Sequence, residues 1–266
     1  MAAPAIPNPP VALKLLSEPP ASHRTATRTV ETKPGRRYRL FTAMPAANSA
    51  ETLPALYMLD GNAAFDALSG DMLATHPGLA VIGIGYETQA GFDFEARARD
   101  YTPPAAAPDP RHPTRASGEV ARFLAALTRT LIPGLEAALP LDPARRTLWG
   151  HSFGGLFALH ALAHAPDAFS GYSVVSPSLW WDGGAILDAL AQSAPTWPPR
   201  AVDLCRTDTV RRSDGSLADP ENRVARLEAL LAERTDLSIR ALAGVSHRAA
   251  LDRSLPGALA FAAREI

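Results

Sequence analysis

Short apolar segments alternate with helical patterns along most of this 266-residue chain. The central segments, such as "LAVIGIGY" at 79–86, are apolar at almost every position, which is typical of parallel strands covered on both faces. The predicted strands are 38–44, 55–60, 79–86, 146–150, 171–176, 201–205 and 237–243, and the predicted helices are 118–139, 153–165, 184–193, 220–234 and 253–265. This alternation predicts an α/β fold, with a mostly parallel central sheet and helices on both faces.

Proline-rich segments mark the irregular parts of the chain, because proline lacks an N–H donor and restricts the residue before it. They lie at 4–10, 17–22, 101–113 and 194–200. We therefore divide the chain in two. Residues 1–36 form an irregular arm with a first edge strand, and residues 37–266 form a single α/β domain.

Composition excludes several classes of partner. The formal net charge of −1 argues against a nucleic acid or a membrane surface. The one cysteine, Cys205, cannot form an internal disulfide, and its place in a predicted strand indicates a buried, inert thiol. The sequence has no apolar run of about 20 residues, and its start lacks the basic and apolar segments of a secretory signal. We expect a cytoplasmic protein, or a periplasmic one if a leader has been removed.

The segment "WGHSFGG" at 149–155 places Ser152 between two glycines, where an apolar strand becomes a helix. A sharp strand-to-helix turn strains the residue at its apex, and glycine two positions away on either side avoids a clash. Ligands also bind at the carboxyl ends of parallel strands. The pattern predicts a serine nucleophile, with the N–H of Phe153 as a donor to an oxyanion. The alternative is a serine that only caps the helix.

A serine nucleophile needs a base, and in this kind of fold the acid and then the histidine follow it along the chain. His247, in "GVSHRAAL", follows the last predicted strand and is the predicted general base. The acid is expected after the penultimate strand, where Asp208 is the first candidate for orienting the imidazole. Three other acids of that loop region remain alternatives: Asp214, Asp219 and Glu221.

A second oxyanion donor is expected in the loop after the third strand of the fold. The segment "YMLDGNAAF" at 57–65 holds that place, and the backbone N–H of Gly61 or Asn62 is the predicted donor. An ordinary Asp-Gly turn is the alternative interpretation of the same residues.

Five segments resemble the putative-esterase branch of the α/β-hydrolase fold, and most of all the enterobactin and salmochelin esterases, which cleave ester bonds of catecholate siderophores. They are "LYMLDGNAAF" (56–65), "RARDYTPP" (97–104), "RRTLWGHSFGGLFALHAL" (145–162), "SPSLWW" (176–181) and "SHRAAL" (246–251). The resemblance implies that Ser152 is the nucleophile and His247 its base. It is weakest at the acid, where "CRTDTVRR" replaces a Gly-x-x-Glu-like segment. A serine–histidine dyad is therefore the alternative to a triad with Asp208.

The resemblance also implies large, aromatic and often iron-loaded substrates. Trp180 and Trp181 are candidates for an apolar wall, and Arg97 and Arg99 for attracting an anionic ferric catecholate. The alternatives are that the tryptophans fill the core and that Arg99 forms a structural ion pair with Asp100.

Two further histidine signals are assigned to structure. His160 and His164 have the i, i+4 spacing of a zinc-binding helix, but the glutamate of H-E-x-x-H and a third ligand are missing, so we expect a partly buried helix face. His151 is expected to point away from the cleft, because neighbouring side chains at a strand end face opposite sides.

Together the residues and the resemblance predict a serine esterase that needs no cofactor. It would hydrolyse ester or lactone bonds of a small molecule, a catecholate siderophore or its ferric complex, through an acyl-enzyme on Ser152. Two alternatives keep the acyl-enzyme: a general carboxylesterase, and an acyltransferase that delivers to an alcohol. A third is a protein that binds a siderophore without cleaving it.

Overall fold

The computed structural model of the protein describes residues 8–32, 35–47, 51–109, 112–207 and 221–264. Within these residues the strands are β1 His23–Thr32, β2 Arg36–Pro45, β3 Leu53–Met58, β4 Ala80–Gly85, β5 Leu141–His151, β6 Gly171–Val175, β7 Ala201–Thr207 and β8 Asp236–Leu242. They form one sheet in the order β1-β2-β4-β3-β5-β6-β7-β8. β2 pairs antiparallel with both β1 and β4, and every other neighbouring pair is parallel. The predicted mostly parallel sheet is confirmed.

The helices of the described residues are α1 Lys14–Ser17, α2 Gly61–Ala67, α3 Gly70–Ala74, α4 Phe94–Tyr101, α5 Val120–Ala126, α6 Ile132–Glu136, α7 Phe153–His164, α8 Ala185–Ser193, α9 Arg223–Ala232 and α10 Ala250–Ala263. A π-helical turn, Leu127–Leu131, joins α5 to α6, so most of the predicted helix 118–139 is one helical segment. Over the described ranges, no helix combines the length and the apolar character that crossing a bilayer demands.

Two apolar clusters cover the two faces of the sheet. Successive strand residues face opposite sides, so Tyr57 of β3 belongs to one cluster and Met58 to the other. α4 to α9 pack on the first face, for example through Phe157, and α1 to α3 with α10 pack on the second, for example through Phe65. The expected covering of both faces by helices is confirmed.

Three short helices between β3 and α5 were not predicted. α2, α3 and α4 have only 7, 5 and 8 residues, too few for a clear apolar period. α4 also buries Arg97 and Asp100, so its buried face contains charged residues and does not show the apolar pattern of a packed helix. It begins where the Asp93 side chain accepts the N–H of Ala96, and it ends at Tyr101, two residues before a proline.

The edge strand expected within residues 1–36 belongs to the same sheet as the rest of the chain, because β1 pairs with β2 over its full length. The arm before it lies along the loop after β4. Asn8 exchanges two hydrogen bonds with the backbone of Phe92, at 2.7 and 3.0 Å.

The strand order reverses between β3 and β5. From β3 the chain passes through α2 and α3 to β4 on one side, and from β5 it passes through α7 to β6 on the other. The turns after β3 and β5 therefore meet at one edge of the sheet, and such a reversal point is where this architecture binds ligands.

Candidate active site

Ser152 stands at the apex of the turn between β5 and α7. Its backbone angles are φ 60° and ψ −114°, a conformation that costs a non-glycine residue energy. Its N–H donates to the Val175 carbonyl at 3.0 Å, and its carbonyl accepts the N–H of Ser178 at 3.1 Å. Its side chain makes no cap hydrogen bond to α7, so the helix-cap alternative does not describe this serine.

The glycines around Ser152 differ in how strictly they are required. A Cβ added at Gly150 would lie 2.2 Å from the Gly154 carbonyl oxygen, which is a backbone clash. A Cβ at Gly154 would lie 3.5 Å from Leu59 and 3.7 Å from an Asp60 carboxylate oxygen, both ordinary contact distances. A Cβ at Gly155 would lie 3.0 Å from the Val175 oxygen. The lack of space for a side chain therefore explains Gly150, as expected. On the helical side of Ser152, the space is tighter at Gly155 than at Gly154.

Gly150→Ala is expected to lower the free energy of unfolding by about 3 kcal/mol, because the added methyl group meets backbone that no side-chain rotation can move. Urea unfolding followed by circular dichroism measures the change. Gly134→Ala in α6 is the matched control, because its added Cβ has no atom within 4 Å and alanine favours a helix. Equal stability of Gly150→Ala and wild type would contradict the assignment of this clash.

His247 lies in the exposed loop between β8 and α10, beside the end of β5. The centroid of its ring is 4.7 Å from that of His151, and its carbonyl oxygen lies 2.8 Å from the His151 Nε2. His151 was expected to point away from the cleft, but it packs against this loop. Ser152 and His247, both described residues, are not hydrogen-bonded to each other. The Ser152 Oγ lies instead 3.2 Å from the Ser178 Oγ.

The acid of the site cannot be assigned from the described residues. Asp208, with the alternatives Asp214 and Asp219, lies outside them. Glu221 is described, and its carboxylate is ion-paired with Arg223 at 2.6 Å. The choice between a triad with Asp208 and a dyad therefore stays a prediction.

The turn after β3 lies against the nucleophile turn. Asp60 adopts a left-handed conformation with φ 51°, and α2 begins at Gly61. A Cβ at Gly61 would lie 2.6 Å from the Ile84 nitrogen, so only glycine allows this approach to β4. The Asn62 side chain donates to the Tyr86 carbonyl at 3.1 Å and accepts the Tyr86 N–H at 2.9 Å, which anchors the end of β4. The backbone N–H groups at the start of α2 have no partner within the helix.

Arg97 is buried in a two-point ion pair with Asp60. Its Nε and Nη2 lie 2.9 and 2.8 Å from the two carboxylate oxygens. Burial is the largest single effect on Arg97 and lowers its pKa, but the charge of Asp60, its hydrogen bonds and the nearby tyrosines together raise the pKa above the usual value. The guanidinium carbon lies 5.3 Å from the Phe153 ring centroid, within cation–π distance of that ring. The sequence identified Arg97 but not its pairing with Asp60.

Arg99 and the two tryptophans take different places. Arg99 donates to Asp100 at 2.9 Å, which is the structural ion pair considered as the alternative. Trp181 is 3% exposed and donates to the Pro103 carbonyl at 3.0 Å, so it belongs to the core. Trp180 is partly exposed, with its ring 5.8 Å from that of Phe153. Trp180 also packs against the apolar cluster of that face, so its role as an apolar wall stays a prediction.

Two residues that the sequence assigned to structure are buried. Cys205 is fully buried in β7, and burial raises the pKa of its thiol to about 11. His160 packs on the ring of His164, 4.2 Å between centroids, and burial lowers its pKa to about 3. The described residues contain no group of three or more side chains suited to hold a metal ion.

Backbone strain is concentrated where the strand ends meet. Asp60 after β3, Ser152 after β5 and Ser176 after β6 have φ angles of 51°, 60° and 39°. Such conformations persist only where the surroundings enforce them, and they mark functional sites. A mostly parallel sheet with a strained serine at the turn after β5 defines the class: this is an α/β-hydrolase fold.

Comparison with known proteins gives the family. The chain belongs to the family described as "Putative esterase", which matches residues 32–264. It is 34% identical over 238 residues to the apo-salmochelin esterase of Escherichia coli O6:H1, covering 84% of this chain and 71% of that protein. It is 34% identical over 169 residues to the ferri-bacillibactin esterase BesA of Bacillus subtilis, covering 57% of each. The enterobactin and salmochelin hydrolase IroE superposes with a TM-score of 0.79 at 27% identity, over 95% of this chain and 100% of that one. The protein is an ester hydrolase, as predicted.

Proposed function

We propose that the protein hydrolyses ester bonds of a catecholate siderophore, or of its ferric complex, through an acyl-enzyme on Ser152. The observation that carries the proposal is the strained Ser152 at the end of β5, between the β6 turn and the loop that carries His247. The relatives are named as esterases or hydrolases of salmochelin, bacillibactin and enterobactin, and these names support a siderophore as the substrate.

The proposed reaction has two steps. The Ser152 hydroxyl turns from Ser178 toward His247, which takes its proton as the oxygen attacks the ester carbonyl carbon. The tetrahedral intermediate collapses, and His247 gives the proton to the leaving alkoxide. A water molecule then loses a proton to His247 and attacks the acyl carbon, which releases the acid and restores the Ser152 hydroxyl.

The proposed oxyanion site consists of backbone N–H donors from two turns. The N–H of Phe153 is the first of α7 and has no partner within that helix. The N–H of Gly61 or Asn62 would be the second donor, and each donor contributes about 3 kcal/mol to lowering the barrier. The buried ion pair of Arg97 and Asp60, whose opposite charges largely cancel, packs against the Phe153 ring next to these donors.

A surface cavity of about 440 Å³ lies next to the neighbours of His247 along the chain, although neither His247 nor Ser152 lines it, and it is the proposed place for a part of the substrate remote from the ester bond. Ser246 and Arg248, which flank His247, line one side of it, and Phe92, whose ring contacts Arg97, lines another. A volume of this order suits a small organic ligand. Trp180, partly exposed beside Phe153, is the proposed apolar wall for an aromatic group.

A substrate panel tests the proposal. We expect kcat/KM for an enterobactin-type trilactone, iron-free or ferric, to exceed that for a short p-nitrophenyl ester by about 100-fold, because remote contacts of the larger substrate lower the barrier. Chromatography of the products measures both reactions. Faster cleavage of the p-nitrophenyl ester would favour a general carboxylesterase. Transfer of the acyl group to an added alcohol would favour an acyltransferase. Tight trilactone binding without turnover would favour a binding protein.

A further inference from the structure

The side chain of His151 links the nucleophile turn to the loop of the proposed base. It is 5% exposed, at the last position of β5 and next to Ser152. Its Nε2 lies 2.8 Å from the carbonyl oxygen of His247, 96 positions further along the chain. The two rings also pack together, 4.7 Å between centroids at an angle of 40°. Since a carbonyl oxygen only accepts, His151 carries a proton on Nε2.

The loop that holds His247 lies at the surface. Its residues 243–249 are exposed or half-buried, and Gly244 has φ 68°. Its local hydrogen bonds include that of the Val245 N–H to the Leu242 carbonyl at 3.4 Å, and those of the Ala249 N–H to the Ser246 hydroxyl at 3.3 Å and of the Ala250 N–H to the Ser246 carbonyl at 3.0 Å. The contact with buried His151 is short by comparison, so it is a strong candidate for the anchor that fixes the loop against β5.

The protonation state of His151 also suits this task. Burial, together with the neighbouring His247 and Arg97, holds the pKa of His151 well below its usual range. A neutral His151 keeps one N–H for the His247 carbonyl. It also adds no second positive charge beside the imidazolium that His247 becomes during the proposed reaction.

We propose that His151 is a positioning residue for the proposed base: its Nε2–H and its ring hold the His247 loop at the end of β5, from where the His247 imidazole takes the Ser152 proton once that hydroxyl has turned from Ser178. This inference rests on the proposed function. It differs from a purely structural role because it ties one hydrogen bond to the rate of the chemical step.

Three substitutions of His151 separate the effect of its hydrogen bond from the effect of its side-chain size. His151→Gln places an amide N–H near the Nε2 position, His151→Asn has the same group but is one methylene too short, and His151→Met has the length without a donor. The matched control is His160→Met, another buried histidine, eight residues along α7 from Ser152, roughly 12 Å. For each variant, kcat, KM, the rate at which a fluorophosphonate labels Ser152 and the thermal midpoint are measured.

We expect His151→Met and His151→Asn to lower kcat and the labelling rate about 10- to 100-fold, because a small displacement of a catalytic group costs this much. KM should stay within about twofold of wild type, since uniform binding is unchanged. His151→Gln should keep kcat within about threefold. His160→Met should lower the thermal midpoint without changing kcat. If His151→Met does not fold, the comparison of Asn with Gln decides.

Three results would overturn the inference. The first is wild-type kcat and labelling in both His151→Met and His151→Asn. The second is a His151→Gln variant as slow as His151→Asn, because the hydrogen bond would then not be the cause. The third is a wild-type protein that neither turns over esters nor is labelled at Ser152. In that case the proposed function fails and the inference falls with it, whereas the first two results leave the proposed function intact.

Discussion

Ser152→Ala is expected to lower kcat for ester hydrolysis at least about 1,000-fold, with little change in substrate affinity. The reason is that the acyl-enzyme needs the hydroxyl oxygen, whereas the turn around it is held by backbone. The Ser152 N–H and carbonyl bond to Val175 and Ser178 whatever the side chain is. Steady-state kinetics measures the loss, and mass spectrometry should find a fluorophosphonate adduct on Ser152 in wild type and none in the variant.

Ser178→Ala is the matched control for this experiment. Ser178 is buried, and its Oγ lies 3.2 Å from that of Ser152, so its removal disturbs the same contact without removing the nucleophile. We expect it to keep kcat within about tenfold of wild type. A Ser152→Ala variant that retains more than a tenth of the activity, or labelling that moves to another serine, would refute the assignment of the nucleophile.

The sheet was largely predictable because its strands differ sharply from their surroundings. Parallel strands covered on both faces leave continuous apolar runs, as in β4, which is buried throughout. α7 was predictable for the same reason, since eleven of its twelve residues are buried. The π-helical turn at Leu127–Leu131 was not, because it adds a single residue to an otherwise regular helical pattern.

What the sequence missed are pairings between distant residues. Arg97 and Asp100 made α4 look polar, although their charges are buried against Asp60, Arg36 and Arg99. No local pattern reveals such partners, because an ion pair between residues 37 positions apart leaves no periodic trace. The contact of His151 with His247 was missed for a related reason. Alternation along a strand predicts which side a residue faces, but not which loop will cover it.

Two positions of the candidate site were predictable, because the order of residues along the chain and the ends of the predicted strands indicate where they lie. The position of Ser152 followed from the turn it requires, and the strained backbone there agrees with that argument. The place of His247 followed from the edge at which the last strand ends, and its ring does lie beside the end of β5. Catalytic roles for both residues remain predictions, which Ser152→Ala and His247→Ala test.

His247→Ala is expected to lower kcat at least about 1,000-fold, and to cause almost no further loss when it is combined with Ser152→Ala. A serine hydroxyl without a base is a poor nucleophile, so removal of either member disables the same proton transfer. His164→Ala is the matched control, because His164 is also an exposed histidine and its ring packs only on His160 among the ring contacts of the described residues. It should leave kcat unchanged.

The pH dependence gives the His247 experiment a second readout. A general base works only when its imidazole is neutral, so wild-type kcat/KM should fall with unit slope as the solution becomes acidic. His151 does not contribute to this limb, because its own pKa lies well below the usual histidine range. In His247→Ala the limb should disappear, and the residual rate should rise with hydroxide concentration instead. An unchanged acidic limb in that variant would show that another group removes the Ser152 proton.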